Sequence, residues 1–412
     1  MIAPSPEPRR EPLVLRALRE GDWLTSERAR LFCRTWLAVS VVVVAAWVLL
    51  ARNGLDVLGK PIGTDFTSFW TASQLALSGH PAQVYDVAIH HQAQTRLFGR
   101  DTGYAAFFYP PIFLWICLPL ASLPYLASLA AWLAATGAAY ARVTRAFLGE
   151  AAGWVAILAF PAVLINAGHG QNGFLSAALF GGGVLLMNRR PMLAGALLGC
   201  LAYKPQLGLL IPIALLAAGR WRVIAGAAGA VLALAGLSVW AFGLATWRAF
   251  LAVSPLARAA LEQDLVGYGK MQSVFAAIRL LHGGLALAYG AQALAALAAC
   301  AALVFLQRKA PRAEAEGPAL VAASLLASPF LLDYDLILLA IPLAWLTAQG
   351  LRTGFRSYEK TILAAGFILP AISRPLAMGA GVPLGPLVIA AVFWLVLRRW
   401  AQPGQVEAPT HP

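Results

Sequence analysis

The chain has 412 residues, 60% of them hydrophobic and 12% charged, against roughly 45–50% and 25% in soluble domains, which excludes an ordinary soluble fold. Its formal net charge of +13 does not point to nucleic acid. The basic residues fall in short clusters between apolar runs rather than along one face, as membrane topology signals do.

Residues 1–34 are polar and rich in Pro, Arg and Glu, with Arg28, Arg30 and Arg34 just before the first apolar run. No apolar core falls early enough for a cleavable signal peptide. The segment reads as a cytoplasmic tail leading to an uncleaved first helix. Apolar runs then recur at about 35–51, 109–122, 124–141, 152–166, 172–187, 191–218, 222–242, 284–306, 317–331, 336–350, 361–373 and 384–399. Helical spans need about 20 such residues, and the ten-residue alternation of a membrane barrel is absent. The fold expected is an all-α integral membrane protein, a polytopic bundle of ten to twelve membrane elements over 35–400, with 401–412 as a cytoplasmic C-terminal tail.

Two runs are doubtful as simple spans. The run 109–122 is short and carries Pro110, Pro111 and Pro119, and 191–218 is interrupted by Lys204-Pro205. Broken helices at membrane depth line cavities buried in protein. If neither crosses fully, Arg142/Arg145, Arg189/Arg190, Arg220/Arg222, Arg308/Lys309/Arg312, Arg352/Arg356/Lys360 and Arg398/Arg399 all fall inside. Both termini are then cytoplasmic. Four polar segments share the opposite side: a long first loop at 52–108, the turn Gly168–Asn172, a loop at 247–282, and Asp333-Tyr334-Asp335. Within the first loop, residues 82–98 have the loose helical spacing of a helix lying along the interface.

Several residues can carry chemistry. Asp65, in Gly63-Thr64-Asp65-Phe66-Thr67-Ser68-Phe69-Trp70, is a carboxylate among aromatic rings, suited to general-base work; Trp70 can stack on a sugar. The plainer reading makes Asp65 the cap of the helix that follows. Lys204 lies in an apolar run, where a lysine costs about 2.5–3.5 kcal/mol unless it is paired or reaches the headgroups. It calls for an anion, a phosphate being one candidate. His169, Gln171 and Asn172 either hydrogen-bond sugar hydroxyls or form a plain interhelical turn. Asp333 and Asp335 either bind substrate or start the next helix. Glu262, Asp264, Tyr268 and Lys270 can reach the same cavity or stay solvated. Adjacent His90 and His91 have no partner at metal-ligand spacing, and the four cysteines read as buried free thiols. Glycines around Gly226 and Gly229 suit close helix packing.

The ordered set resembles glycosyltransferase family 87, polyprenyl-phosphate-sugar-dependent bacterial enzymes of the GT-C fold. The resemblance spans roughly 60–350. It is carried by Asp65 with Phe66 and Trp70, Leu77-Ser78-Gly79 with Val84-Tyr85-Asp86, Phe108-Tyr109-Pro110-Pro111, Pro119-Leu120-Ala121, Gly170-Gln171-Asn172, Ala194-Gly195 through Lys204-Pro205, and Ser328-Pro329 through Tyr334-Asp335. It implies a metal-independent inverting transfer without a cofactor, from a polyprenyl-phosphate hexose to a glycolipid or cell-envelope glycan, at the outer face of a bacterial inner membrane. Asp65 matches the acidic base of the first outer loop. The substrate-binding set expected around it is Trp70, Tyr109, His169, Gln171, Asn172, Lys204, Asp333 and Asp335. Mannosyltransferase members carry a histidine after the later Ser-Pro. Here Phe330-Leu331-Leu332-Asp333-Tyr334 has none, which speaks against mannose and a phosphoinositide acceptor. The rival class is a multispanning transporter or lipid flippase, against which the missing internal repeat counts; a catalytically dead scaffold is a third reading.

Overall fold

An apolar chain in hydrocarbon must satisfy its own backbone, and helices do so within one segment. The structure, a computed structural model, describes residues 12–151, 153–310 and 314–402. The start of the tail expected over 1–34, Arg312, and residues 403–412 of the C-terminal tail lie outside the described residues. Among those described there is no β-strand, only isolated bridges.

A short helix α1 (Leu13–Glu20) precedes α2 (Ser26–Leu49), whose start is capped by Thr25 accepting from the Arg28 amide at 3.2 Å. The long first loop folds as α3 (Phe66–Leu77), a 3-10 turn Pro81–Tyr85 and α4 (Val87–Phe98). Asp86 caps α4 by accepting from the Ile89 amide at 3.0 Å, and Gly99 closes it with φ of 68°. The helix expected near 82–98 is therefore present, broken at Asp86. Next come α5 (Ile112–Cys117), α6 (Tyr125–Leu148), α7 (Trp154–Leu158), α8 (Pro161–His169), α9 (Gly173–Leu186), α10 (Pro191–Cys200), α11 (Pro205–Gly208), α12 (Ile211–Ala217) and α13 (Trp221–Glu262). The chain ends with α14 (Val274–Leu280), α15 (Leu285–Lys309), α16 (Glu316–Ala327), α17 (Ala340–Thr353), α18 (Glu359–Ala380) and α19 (Leu384–Ala401).

Six of these segments are individually long and apolar enough to cross a membrane: α2, α13, α15, α17 with the 3-10 turn before it, α18 and α19. The protein is a polytopic helical membrane protein. Its centre is α16 and α17. Every residue of α16 is buried, as expected of a helix apolar on all sides.

Basic residues gather at one end of the bundle. Arg220 donates to Asn188 Oδ1 at 3.0 Å and pairs with Glu316; Arg352 reaches Glu314 at 3.5 Å; Arg399 pairs with Glu359; Lys360 lies 3.9 Å from Asp22. Because Asn188 and Arg220 touch, the chain between them leaves this end and returns to it. The stretch 191–218 is thus a re-entrant hairpin, α10 out and α11–α12 back, with Lys204 at its tip. Its outgoing arm lies backbone to backbone on α13: a Cβ on Gly195 would collide with the Val223 carbonyl, and one on Gly226 with that of Met192. The small residues there serve packing. Helix α5 is about 9 Å long and cannot cross about 30 Å of hydrocarbon.

Two expectations are corrected. The stretch 247–282 is not mainly loop, because α13 continues to Glu262 past a break at Gly243 (φ 78°). Leu251, Leu256, Ala257, Ala259 and Ala260 favour helix, and the extension is packed against the first loop, with Phe250 and Tyr85 ring centres 5.7 Å apart. All four cysteines are free, but only Cys117 is fully buried; Cys33, Cys200 and Cys300 are partly exposed.

Candidate functional site

Two turns dock on each other to begin the site. Gly170 ends α8 in the left-handed region (φ 64°), and a Cβ there would lie 2.6 Å from Phe66 Cβ and 2.9 Å from Leu129 Cδ1. Only glycine lets the backbone approach this closely. The Asp65 amide donates to the His169 carbonyl at 3.0 Å, and Trp132 Nε1 donates to the Gly170 carbonyl at 3.1 Å. Asp65 and His169, 104 positions apart in sequence, are thereby side by side.

Asp65 occupies the residue before α3, yet its side chain makes no capping bond. Its Oδ2 instead accepts from Gln171 Nε2 at 3.0 Å. Its Oδ1 lies 3.4 Å from Thr64 Oγ1 and 4.0 Å from His169 Nδ1. The carboxylate is 35% exposed, so it is both held and reachable. Gln171 Oε1 accepts from Tyr109 OH at 3.3 Å and from the Asn172 amide at 3.0 Å, which fixes its Nε2 toward Asp65. Asn172 is fully buried, and among the described residues neither its side-chain nitrogen nor its oxygen makes a hydrogen bond of ordinary geometry. A buried amide left so costs about 1–3 kcal/mol.

The tip of the re-entrant hairpin and the 3-10 turn Asp333–Leu339 form the floor. Lys204 Nζ donates to Asp335 Oδ1 at 2.6 Å, both side chains 3% exposed, and lies 5.2 Å from the centre of the Tyr334 ring. Asp335 Oδ2 accepts from the Leu332 amide at 3.2 Å. The lysine has its anion within the protein, and the aspartate both caps a turn and neutralises that lysine. The His169 and Tyr334 ring centres are 6.0 Å apart, joining the floor to the Asp65 wall. Asp333 Oδ1 accepts from the Tyr334 amide at 2.9 Å, and its Oδ2 from Arg374 Nη1 at 3.3 Å.

The structure thus brings Asp65, Tyr109, His169, Gln171, Asn172, Lys204, Asp333 and Asp335 into one connected region. Trp70 is elsewhere engaged: its indole donates to the Leu123 carbonyl at 3.1 Å and its ring meets Tyr125 at 6.2 Å. It secures the first loop to α6. Glu262 binds Arg258 and Tyr289, each at 2.8 Å, and Tyr268 OH donates to the Glu262 carbonyl at 2.8 Å. This knot satisfies its own polar groups. His90 is buried beside Thr71 Oγ1 at 2.8 Å, and His91 faces Asp101 at 3.0 Å. Burial lowers the His90 pKa to about 4, so that ring is a neutral tie between α3 and α4. Among the described residues no three His, Cys, Asp or Glu side chains converge as a metal-ligand set.

Arg374 escaped the sequence reading. It stands just beyond the apolar run 361–373, in Ser373-Arg374-Pro375, where α18 continues to Ala380. An arginine within an apolar helix was the available signal.

The family model for glycosyltransferase family 87 matches residues 107–329, just over half of the 412 residues. The match includes Tyr109, His169, Gln171, Asn172 and Lys204 and leaves Asp65, Asp333, Asp335 and Arg374 outside it. No curated protein and no solved structure matches the chain. The chain belongs to glycosyltransferase family 87 and is a membrane glycosyltransferase.

Proposed function

We propose that this member of glycosyltransferase family 87 moves a hexose from a polyprenyl-phosphate sugar to a glycolipid or cell-envelope glycan. The site would lie at the outer face of a bacterial inner membrane, with the basic end of the bundle in the cytoplasm. The observation that carries this reading is Asp65: a partly exposed carboxylate, free of its cap, oriented by Gln171 beside His169 and beneath the first loop.

In the proposed reaction the acceptor oxygen attacks the anomeric carbon from the side opposite the lipid phosphate. Its proton passes to Asp65, the bond from that carbon to the phosphate oxygen breaks, and the electron pair leaves with the phosphate. One displacement inverts the anomeric centre. No metal takes part in this scheme. In this reading Asn172, with its unsatisfied amide, would meet a sugar hydroxyl, and Gln171 would hold Asp65 toward the acceptor.

Proteoliposomes given labelled polyprenyl-phosphate sugar and a crude envelope-lipid acceptor test the reading. The wild-type protein should transfer label to a new lipid or glycan. Asp65→Asn should abolish transfer while donor binding is kept. Turnover by Asp65→Asn would refute the base, and translocation of label without a new covalent product would refute the transferase reading.

A further inference from the structure

Two arginine–carboxylate pairs at the basic end are closed forks. Arg220 offers Nε at 2.6 Å and Nη2 to the two oxygens of Glu316, with side chains 5% and 7% exposed. Arg399 does the same to Glu359, at 2.7 Å and 2.5 Å, with 5% and 1% exposed. Each guanidinium is engaged on its other edge as well, Arg220 by Asn188 Oδ1 and Arg399 by Thr353 Oγ1 and the Gly354 carbonyl.

Arg374 is different. One nitrogen, Nη1, reaches Asp333 at 3.3 Å, and the arginine side chain is 33% exposed while its partner is 4% exposed. A guanidinium has five N–H donors, and among the described residues only Nη1 of this one has a partner. Lys204, by contrast, is spent: its ammonium is closed against Asp335 in a pair 3% exposed on each side. Gly269 lies against Met378, one turn further along α18, so the turn Tyr268–Lys270 packs beside this part of the helix. Asp65 is linked to this corner through His169 and Tyr334 rather than by contact. An inverting displacement needs that separation, since base and leaving group flank the anomeric carbon from opposite sides.

We propose that Arg374, and not Lys204, holds the phosphate of the lipid-linked donor and receives the negative charge that develops on it as the bond to the sugar breaks. The inference rests on the transferase reading for its ligand. Asp333 would keep the guanidinium plane turned so that its remaining donors face a phosphodiester.

Full-length protein in nanodiscs, titrated with a polyprenyl monophosphate and with the matching polyprenol, tests the assignment apart from turnover. The wild type should prefer the phosphate. Arg374→Gln should weaken phosphate-lipid binding at least tenfold and leave polyprenol binding unchanged, with Arg374→Lys intermediate and Asp65→Asn like wild type. Because Arg374→Gln leaves Asp333 unpaired and can disturb folding, Arg374→Gln/Asp333→Asn is measured beside it and should show the same loss. Undiminished phosphate-lipid binding in either folded variant overturns the proposal, as does equal wild-type affinity for the polyprenol. Inorganic phosphate in excess should not displace the lipid; displacement would assign Arg374 to a free anion and overturn the lipid assignment. Absence of sugar transfer with a preserved, Arg374-dependent phosphate preference would refute the transferase reading alone.

Discussion

Replacing Lys204 with Met should damage the fold far more than loss of any exposed ion pair. Its Nζ is 2.6 Å from Asp335 Oδ1 with each side chain 3% exposed, so the substitution strands a carboxylate whose one other described partner is the Leu332 amide at 3.2 Å. Removing one member of a buried pair costs about 3–5 kcal/mol, chiefly through the unpaired charge left behind. At roughly 2 °C per kcal/mol for a chain of this size, the unfolding midpoint in lipid–detergent micelles should fall on the order of 5–10 °C. Lys204→Met/Asp335→Asn removes both charges and keeps an oxygen for the Leu332 amide. It should recover most of the loss, giving a coupling of about 2–4 kcal/mol in the double-mutant cycle. Equal stability of Lys204→Met and wild type, or a double variant no better than the single, would refute the reasoning that this lysine is committed to its aspartate.

Gln171→Leu deletes the donor that orients Asp65 and the acceptor for Tyr109. A hydrogen bond to a charged group contributes about 1.5–3 kcal/mol, so single-turnover transfer should slow about 10- to 100-fold; an unchanged rate would show that Asp65 needs no such support. His90 carries a pH signature. Its pKa is about 4 in the folded loop because burial disfavours the charged ring, against about 6.5 unfolded. The unfolded state binds more protons in between, so this contribution is full above pH 6.5 and is lost as pH falls toward 4. Limited proteolysis within 52–108 should accelerate between pH 7 and 5, and His90→Gln should flatten that dependence.

Much of the architecture was legible because lipid leaves the chain few choices. Lys204 announced a buried anion by its cost alone, and the proline after it announced a break, but nothing local named Asp335, 131 positions away, as the partner. The clustering of Arg189, Arg190 and Arg220 required a hairpin that returns, and the contact between Asn188 and Arg220 supplies it. Asp65 shows the limit of residue type. An aspartate before a helix is equally a cap or a free carboxylate, and the decision rests on Gln171, whose position follows from the close approach at Gly170. The extension of α13 was hidden because alanine- and leucine-rich sequence outside the hydrocarbon becomes helix only where a surface such as Tyr85 receives it. Arg374 was hidden by its place at the margin of an apolar run, where a charge reads as the end of a span.

The Gly243 break in α13 acts as a ruler against the bilayer. From Trp221 to Phe242 the helix is about 33 Å long at roughly 1.5 Å per residue, close to the ~30 Å thickness of the hydrocarbon layer. The bend therefore falls one hydrocarbon thickness from the Arg220 end, flanked by Trp240, 80% exposed, and Trp247, whose indole is tied to Ser238 at 3.0 Å. Aromatic anchors of this kind settle at the headgroups. The half beyond the bend packs on the first loop through Phe250 and Tyr85, so the length of α13 up to Gly243 sets how far that loop, and Asp65 with it, stands from the Arg220 end.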